Sequence, residues 1–235
     1  MTSINPLLTL SQLRFAWHQG SSPLLALDAL RIDHGERVFM RGPSGSGKTT
    51  LLNLLSGVLI PQQGSIRVLD TPLEELNHAA RDRFRADHIG FVFQMFNLVP
   101  YLSLIENVTL PCRFSDRRRN RAQAAHSLED EARRLLTHLG LTDSVSLNHT
   151  VTALSVGQQQ RVAAARALIG GPELLIADEP TSALDNDARE VFLSLLFTEC
   201  ERAGSTLLFV SHDQSLAPLF SRTLDLPHLN QATKN

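Results

Sequence analysis

Two short runs in this 235-residue chain hold the residues best suited to chemistry. The first, Gly42-Pro43-Ser44-Gly45-Ser46-Gly47-Lys48-Thr49, fits the pattern G-x-x-x-x-G-K-[ST]. Small residues let the backbone curl until successive N–H groups face one anion. A helix starting there adds partial positive charge at the same spot. Lys48 brings a full charge for β- and γ-phosphates, and the Thr49 hydroxyl is a hard oxygen ligand for Mg²⁺. The second run, Leu174-Leu175-Ile176-Ala177-Asp178-Glu179-Pro180, ends an apolar stretch in two carboxylates. At the C-terminal edge of a parallel sheet, Asp178 can hold Mg²⁺ directly or through water. Glu179 can polarise a water for attack on a γ-phosphate. Read blandly, the first run is a glycine-rich turn before a helix and the second a strand cap before Pro180.

The elements that must position these residues follow from periodicity. Strands are expected over Leu7–Trp17, Leu27–Ile32, Arg37–Arg41 and Ser65–Leu69, with the phosphate loop leaving the third of them. Helices are expected over Thr49–Val58 and Leu73–Ala86, followed by a short strand at Ile89–Gln94. The middle of the chain turns helical, over Leu104–Leu110, a long charged amphipathic helix Arg121–Leu139, and Ser155–Leu168. Strand Leu174–Ala177, helix Asp187–Arg202 and strand Thr206–Val210 then restore the α/β alternation. The run Arg117-Arg118-Arg119 with Arg121 reads as a solvated loop and helix face.

Composition narrows the class. With 43% apolar and 20% charged residues the chain can bury a core and is not disordered. Lys plus Arg is 22 against 24 Asp plus Glu, a net charge of −2. That balance argues against gripping nucleic acid, for which domains are usually basic. Cys112 and Cys200 are too few for a disulfide framework and read as reduced thiols in a reducing compartment. No stretch approaches the roughly 20 apolar residues a membrane span needs. Met1–Leu10 lacks a basic start, so the expectation is a cytoplasmic protein that reaches a membrane only through a partner.

A third segment, Leu154-Ser155-Val156-Gly157-Gln158 with Gln159-Gln160-Arg161, carries the family resemblance. It resembles the signature of ATP-binding-cassette (ABC) transporter ATPases, usually Leu-Ser-Gly-Gly-Gln, at the start of a helix. The resemblance runs through nearly the whole chain. It implies one ABC ATPase domain over 1–235, an α/β P-loop NTPase fold with a mixed or parallel core sheet. An antiparallel β subdomain and an inserted helical subdomain complete it. About 1–94 and 169–235 would form the nucleotide-binding core and about 95–168 the helical insertion.

In that family two subunits pack head to tail around two ATP, and each signature closes on the nucleotide held by the other. Leu154, Ser155, Val156, Gly157 and Gln158 would thus act in trans. Gln94 resembles the Q-loop glutamine beside Mg²⁺ and the attacking water, joining Thr49 and Asp178 as metal-side residues. Ser182-Ala183-Leu184-Asp185 resembles the D-loop at the dimer interface. Ser211-His212-Asp213 resembles the switch region, with His212 on the γ-phosphate. The resemblance assigns ATP binding to Gly42 through Thr49 and to Thr50, and catalysis to Glu179, His212, Gln94 and Lys48. Trp17 is the choice for stacking on adenine; Phe15 is expected to face the core. Val156 departs from the usual Gly. Ordinary helical φ/ψ and retained ATPase activity are expected there.

Residues Ile89 through Val108 are similar to the branch containing lipoprotein-release, macrolide-efflux and cell-division (FtsE-type) ATPases. That likeness implies a subunit driving a separate permease in a mechanotransmission-type complex. The permease would be met near Gln94–Leu104, with Phe96, Leu98, Tyr101 and Leu102 lining the groove. The protein would then sit on the cytoplasmic face of the inner membrane. The segment after Asp213 reads as too short for a regulatory domain. The rival reading is a soluble ABC ATPase acting on ribosomes or DNA. Such proteins usually carry two cassettes per chain or long coiled coils, and neither is present. A scaffold that has lost catalysis is disfavoured by the presence of Lys48, Asp178, Glu179 and His212.

Overall fold

The computed structural model describes residues 6–18, 20–141 and 150–233. In chain order the first elements are β1 (Pro6–Phe15), β2 (Leu25–Asp33), β3 (Arg37–Arg41), α1 (Lys48–Leu55), β4 (Gln63–Val68), β5 (Thr71–Pro72), α2 (His78–His88) and β6 (Ile89–Val92). The helical stretch contains α3 (Leu104–Thr109), α4 (Asp116–Ala122), α5 (Leu128–His138) and α6 (Val156–Leu168). The chain ends with β7 (Leu174–Asp178), α7 (Asn186–Ala203), β8 (Thr206–Val210), β9 (Arg222–Asp225) and α8 (Leu226–Leu229). Contacts divide it into two compact units, residues 1–85 with 206–235, and residues 86–205.

The first unit holds two kinds of sheet. β1 pairs antiparallel with β2 and β4, and β4 with β5. Leu8, Leu10 and Leu13 of β1 are buried, while Ser11 and Gln12 are exposed. β3 pairs parallel with both β8 and β9, with Met40 opposite Val210 and Leu224. Every residue of β8 is buried, as are Val38, Phe39 and Met40. Unbroken apolar runs of this kind suit parallel strands covered on both faces. Phe39 stacks on Phe209 at 6.3 Å and meets Phe220 at 5.3 Å.

The second unit pairs β6 with β7 in parallel, Val92 opposite Ala177. All named helical elements between these two strands belong to α3–α6 and short 3-10 turns, as the inserted helical segment requires. α5 buries Ala132, Leu135 and Leu136 on one face. Cys112 and Cys200 are both buried.

Several local expectations are corrected. Leu73–Ala86 is not one helix. A 3-10 turn at Leu73–Glu75 precedes α2, because the Asn77 Oδ1 accepts from the Ala80 N–H at 2.9 Å and starts a new helix. The long helix Arg121–Leu139 is likewise two helices, α4 and α5. Ser115 caps the first through the Arg118 N–H, and Ser127 caps the second through the Asp130 N–H. In the arginine run Arg117 and Arg121 are exposed as expected, but Arg118 is not. Arg118 is buried; its Nε donates to the Ile169 carbonyl at 2.7 Å and its Nη2 to that of Ala167 at 2.7 Å. It caps the C-terminal end of α6, where helix carbonyls lack partners. Burial pulls its pKa down to about 10. Arg117 and Arg121 pair with Glu173 at 2.6 and 2.9 Å.

Candidate functional site

In the first unit the phosphate loop leaves β3 and opens α1, and its shape is a property of its own backbone. Gly45 and Gly47 have φ of 78° and 93°, a region that side chains with a Cβ rarely adopt. A Cβ on Gly47 would lie 2.8 Å from Leu25 Cδ2, and one on Gly42 would lie 2.7 Å from Ser46 Oγ. Gly47 is the N-cap of α1 and offers no side-chain cap; the first turn holds no acidic residue. The leading N–H groups and the positive end of the helix are thus left for an anion. Lys48 Nζ donates to the Gly42 and Pro43 carbonyls at 2.7 and 3.0 Å, closing the loop into a ring. Ser46 Oγ is buried with no hydrogen-bond partner. An orphaned hydroxyl inside such a cradle can donate its proton to a phosphate oxygen. Thr49 is exposed and Thr50 is buried behind it.

His212 leaves β8 as the loop leaves β3, and these strands are parallel neighbours. Ser211 N donates to the Met40 carbonyl at 3.2 Å, so both segments start from the same sheet edge. His212 is exposed; Asp213 caps the following turn through the Ser215 N–H. Trp17 is 58% exposed and meets buried Phe15 edge-to-face at 5.3 Å, leaving an indole face open for stacking.

In the second unit Gln94 and the acid pair share an edge in the same manner. β6 and β7 are parallel with Val92 opposite Ala177, so Phe93 and Gln94 leave β6 where Asp178 and Glu179 follow Ala177. Asp178 is buried, Glu179 half-buried and Gln94 exposed. Glu179 has φ of 49°. A left-handed, non-glycine residue just beyond a buried strand is the kind of strain that accumulates at functional positions. Thr49, Gln94 and Asp178 supply hydroxyl, amide and carboxylate oxygens, a hard donor set suited to Mg²⁺. No group of three or more His, Cys, Asp or Glu residues poised to hold a metal occurs among the described residues.

The segment Leu154–Gln158 also lies in this unit. Ser155 is the N-cap of α6. Its hydroxyl accepts from the Gln158 N–H at 3.3 Å, and Gln158 Oε1 accepts from the Ser155 N–H at 2.8 Å, a reciprocal cap. Val156 is the first helical residue and is not among the positive-φ positions, so its β-branch meets no backbone strain. It is 49% exposed. A Cβ on Gly157 would sit 3.4 Å from Leu184 Cδ2, which places the segment against Ser182–Asp185. Asp185 in turn caps α7 through the Ala188 N–H at 2.8 Å.

The family model described as ABC transporter matches residues 27–182. The chain belongs to the ABC transporter family. An uncharacterised ABC transporter ATP-binding protein of Escherichia coli K12, YbbA, is 40% identical over 210 residues, covering 88% of this chain and 89% of that protein. The macrolide export ATP-binding/permease protein MacB of Burkholderia thailandensis is 39% identical over 223 residues. That match covers 94% of this chain and 33% of MacB. Among solved structures, the ATP-binding cassette MJ0796, a dimer in a post-hydrolysis state with ADP and Pi, superposes with a TM-score of 0.81 at 34% identity. It covers 96% of this chain and 95% of that one. The fold is accordingly the P-loop ABC cassette, and the chain is an ATP-binding subunit of the ABC ATPase type.

Three features of the cassette were missed in the sequence. Phe96, expected to line a partner groove, is buried at 8% exposure, whereas Met95 beside it is 81% exposed and Tyr101 79%. Arg166 of α6 is buried against the Phe96 and Asn97 carbonyls, and Asn107 of α3 is fully buried. Nothing in the charge pattern marks Arg166 as interior.

Proposed function

We propose that this chain is the ATP-hydrolysing subunit of an ABC transporter, closing as a homodimer around two ATP and driving a separate membrane permease. The observation that carries this reading is the start of α6, where the Ser155 hydroxyl accepts from the Gln158 N–H and keeps its own proton to donate, and the Gly157 N–H precedes the first intrahelical bond, in a chain that also has a complete phosphate loop. A P-loop enzyme working alone has no use for a second anion-directed helix N-terminus of this composition.

In this reading Lys48 and the loop amides of Pro43–Thr49 hold the phosphates. Thr49, Gln94 and Asp178 would hold Mg²⁺, which would neutralise charge on the transferring phosphate. Glu179 takes the proton of the attacking water, and its left-handed backbone fixes the direction of its carboxylate. His212 and Lys48 stabilise the charge developing on the transferring phosphoryl group. Trp17 stacks on adenine. Ser155 and the Gly157 amide cradle the γ-phosphate held by the other copy, and Ser182–Asp185 line the same interface. Phosphate loss removes the bridging anion and loosens the dimer. Residues 95–168 act as the helical subdomain, and the remainder as the nucleotide-binding core.

Met95, Leu98, Tyr101 and Leu102 form the permease-facing surface. The likeness to a macrolide exporter supports efflux as the transport class, and the resemblance carried by Ile89–Val108 keeps lipoprotein release beside it. No helix among the described residues is long and apolar enough to cross a membrane. A place on the cytoplasmic face, held by the permease, follows from that pairing.

The test is the mass of the Glu179→Gln variant by light scattering. With Mg-ATP it should double relative to the ADP form, and a further Ser155→Arg change should abolish the doubling. A monomer at saturating Mg-ATP contradicts the reading. Co-purification with ribosomal proteins rather than a polytopic partner would instead support the soluble alternative.

A further inference from the structure

The segment that follows Gln94 has an unusual backbone. Phe96 and Asn97, two successive non-glycine residues, have φ of 56° and 50°. The Phe96 N–H donates to the Phe93 carbonyl at 2.9 Å and the Asn97 N–H to the Met95 carbonyl at 2.6 Å, so the chain turns tightly twice. Left-handed conformations disfavour residues with a Cβ and persist where surrounding groups impose them.

The imposing group is Arg166. Its Nη2 donates to the Phe96 carbonyl at 2.5 Å and its Nη1 to the Asn97 carbonyl at 2.7 Å. The side chain is buried, and burial lowers its pKa. Among the described residues no carboxylate pairs with it. A guanidinium taken out of water with only two carbonyls as partners is a poor choice for stability alone. An apolar residue of equal length would fill the space without that penalty. What the planar fork supplies is geometry, because it meets two adjacent carbonyls at once.

The rest of the segment is held in the same way. Asn107 is fully buried. Its Oδ1 accepts from the Val99 N–H at 2.8 Å, and its Nδ2 donates to the carbonyls of Val99, Leu102 and Ser103 at 3.1, 3.2 and 3.1 Å. Arg166 and Asn107 together anchor the backbone from Phe96 to Ser103. Met95 and Tyr101 project from the anchored segment into solvent. Arg166 lies near the far end of the helix that Ser155 opens. That helix is capped at both ends, by Ser155 with Gln158 and by Arg118.

We propose that Arg166 is a positioning residue that locks the Phe96–Asn97 turn to α6, so that the helix and the exposed face at Met95 and Tyr101 move as one piece. The lock itself depends only on this geometry; its use in coupling rests on the reading of that face as the permease surface. Displacement of the Ser155 end of α6 on nucleotide closure is thereby delivered to the partner through a rigid connection.

The test uses the full chain and the variants Arg166→Met, which keeps the packing and removes the fork, and Arg166→Lys. Hydrogen exchange should quicken by about tenfold or more over residues 95–99 in Arg166→Met, the loss of two charge-assisted bonds. Exchange along 160–168 should stay near wild type. Arg166→Lys, reaching one carbonyl at a time, should fall between the two, and it decides the matter if Arg166→Met does not fold. KM for ATP should hold while kcat falls, since the phosphate loop is untouched. A spin label on Met95→Cys is selective because Cys112 and Cys200 are buried. Its spectrum should change when Mg-ATP binds the Glu179→Gln background and should not change once Arg166→Met is added.

Unaltered exchange over 95–99, or quickening spread equally along α6, overturns the proposal. So does a label that responds to Mg-ATP equally with and without the guanidinium. The exchange arm needs no nucleotide. Failure of ATP binding would remove the proposed function and leave the lock standing.

Discussion

The loop Gly42–Lys48 takes its shape from its own backbone, whereas the segment Gln94–Ser103 takes its shape from side chains lodged elsewhere in the chain. In the first, glycines at φ 78° and 93° and a lysine bonded to its own loop set the curve. In the second, non-glycine residues sit at φ 56° and 50° under Arg166, and Asn107 gathers three further carbonyls. The difference teaches how each region can respond. A loop that encodes its own conformation can present an unchanging anion site. A segment shaped by a distant helix reports the position of that helix.

Four predictions break or sharpen this contrast. The largest effect is expected where chemistry is removed and both shapes are left alone. Glu179→Gln should lower single-turnover hydrolysis by about 10²- to 10⁴-fold, the range for loss of a general base, with ATP affinity retained. A wild-type rate would reassign the base. Next, Arg118→Met removes the cap on α6 and leaves buried carbonyls unpaired. It should destabilise the chain by about 2–4 kcal/mol in denaturant unfolding. Gly47→Ala should act on the other region only. The strained φ and the overlap with Leu25 should weaken nucleotide binding at a cost of about 1–2 kcal/mol. Isothermal titration should show the loss, with exchange over 95–103 unchanged.

Acid should separate the regions as well. Burial alone would raise the Glu173 pKa, but the His88 hydrogen bond and the Arg117 guanidinium bring it down to about 2 from 4.5. A carboxylate depressed on folding contributes stability above its unfolded pKa and loses it as pH falls through the folded value. Stability should therefore decline between about pH 4.5 and 2, and Glu173→Gln should flatten that limb of the pH–stability curve. Equal slopes for both proteins would discount the cluster.

Most of the architecture was legible in the residues because its signals are local. The phosphate loop is contiguous, and the buried parallel strands contain unbroken apolar runs such as Leu207–Val210 and Leu174–Ala177. Phe15 faces inward as the last residue of β1, and Trp17 lies past the strand's end, where period-two alternation no longer sets its direction. What stayed hidden depends on contacts between distant positions. Arg118 and Arg166 carry charges that read as surface, and only the unsatisfied carbonyls they meet bring them inside. The break between α4 and α5 turns on Ser127 being a cap, which a charged periodic pattern on both sides concealed. Val156 was legible in kind: a first-turn helical position asks nothing of glycine.

The central claim, nucleotide held between two copies, is tested most directly by a crystal structure of the Glu179→Gln variant grown with Mg-ATP. The account predicts Ser155 Oγ within hydrogen-bonding distance of a γ-phosphate whose β-phosphate lies in the Gly42–Thr49 loop of the other copy. Ser155 facing solvent, or reaching the nucleotide of its own chain, would contradict it.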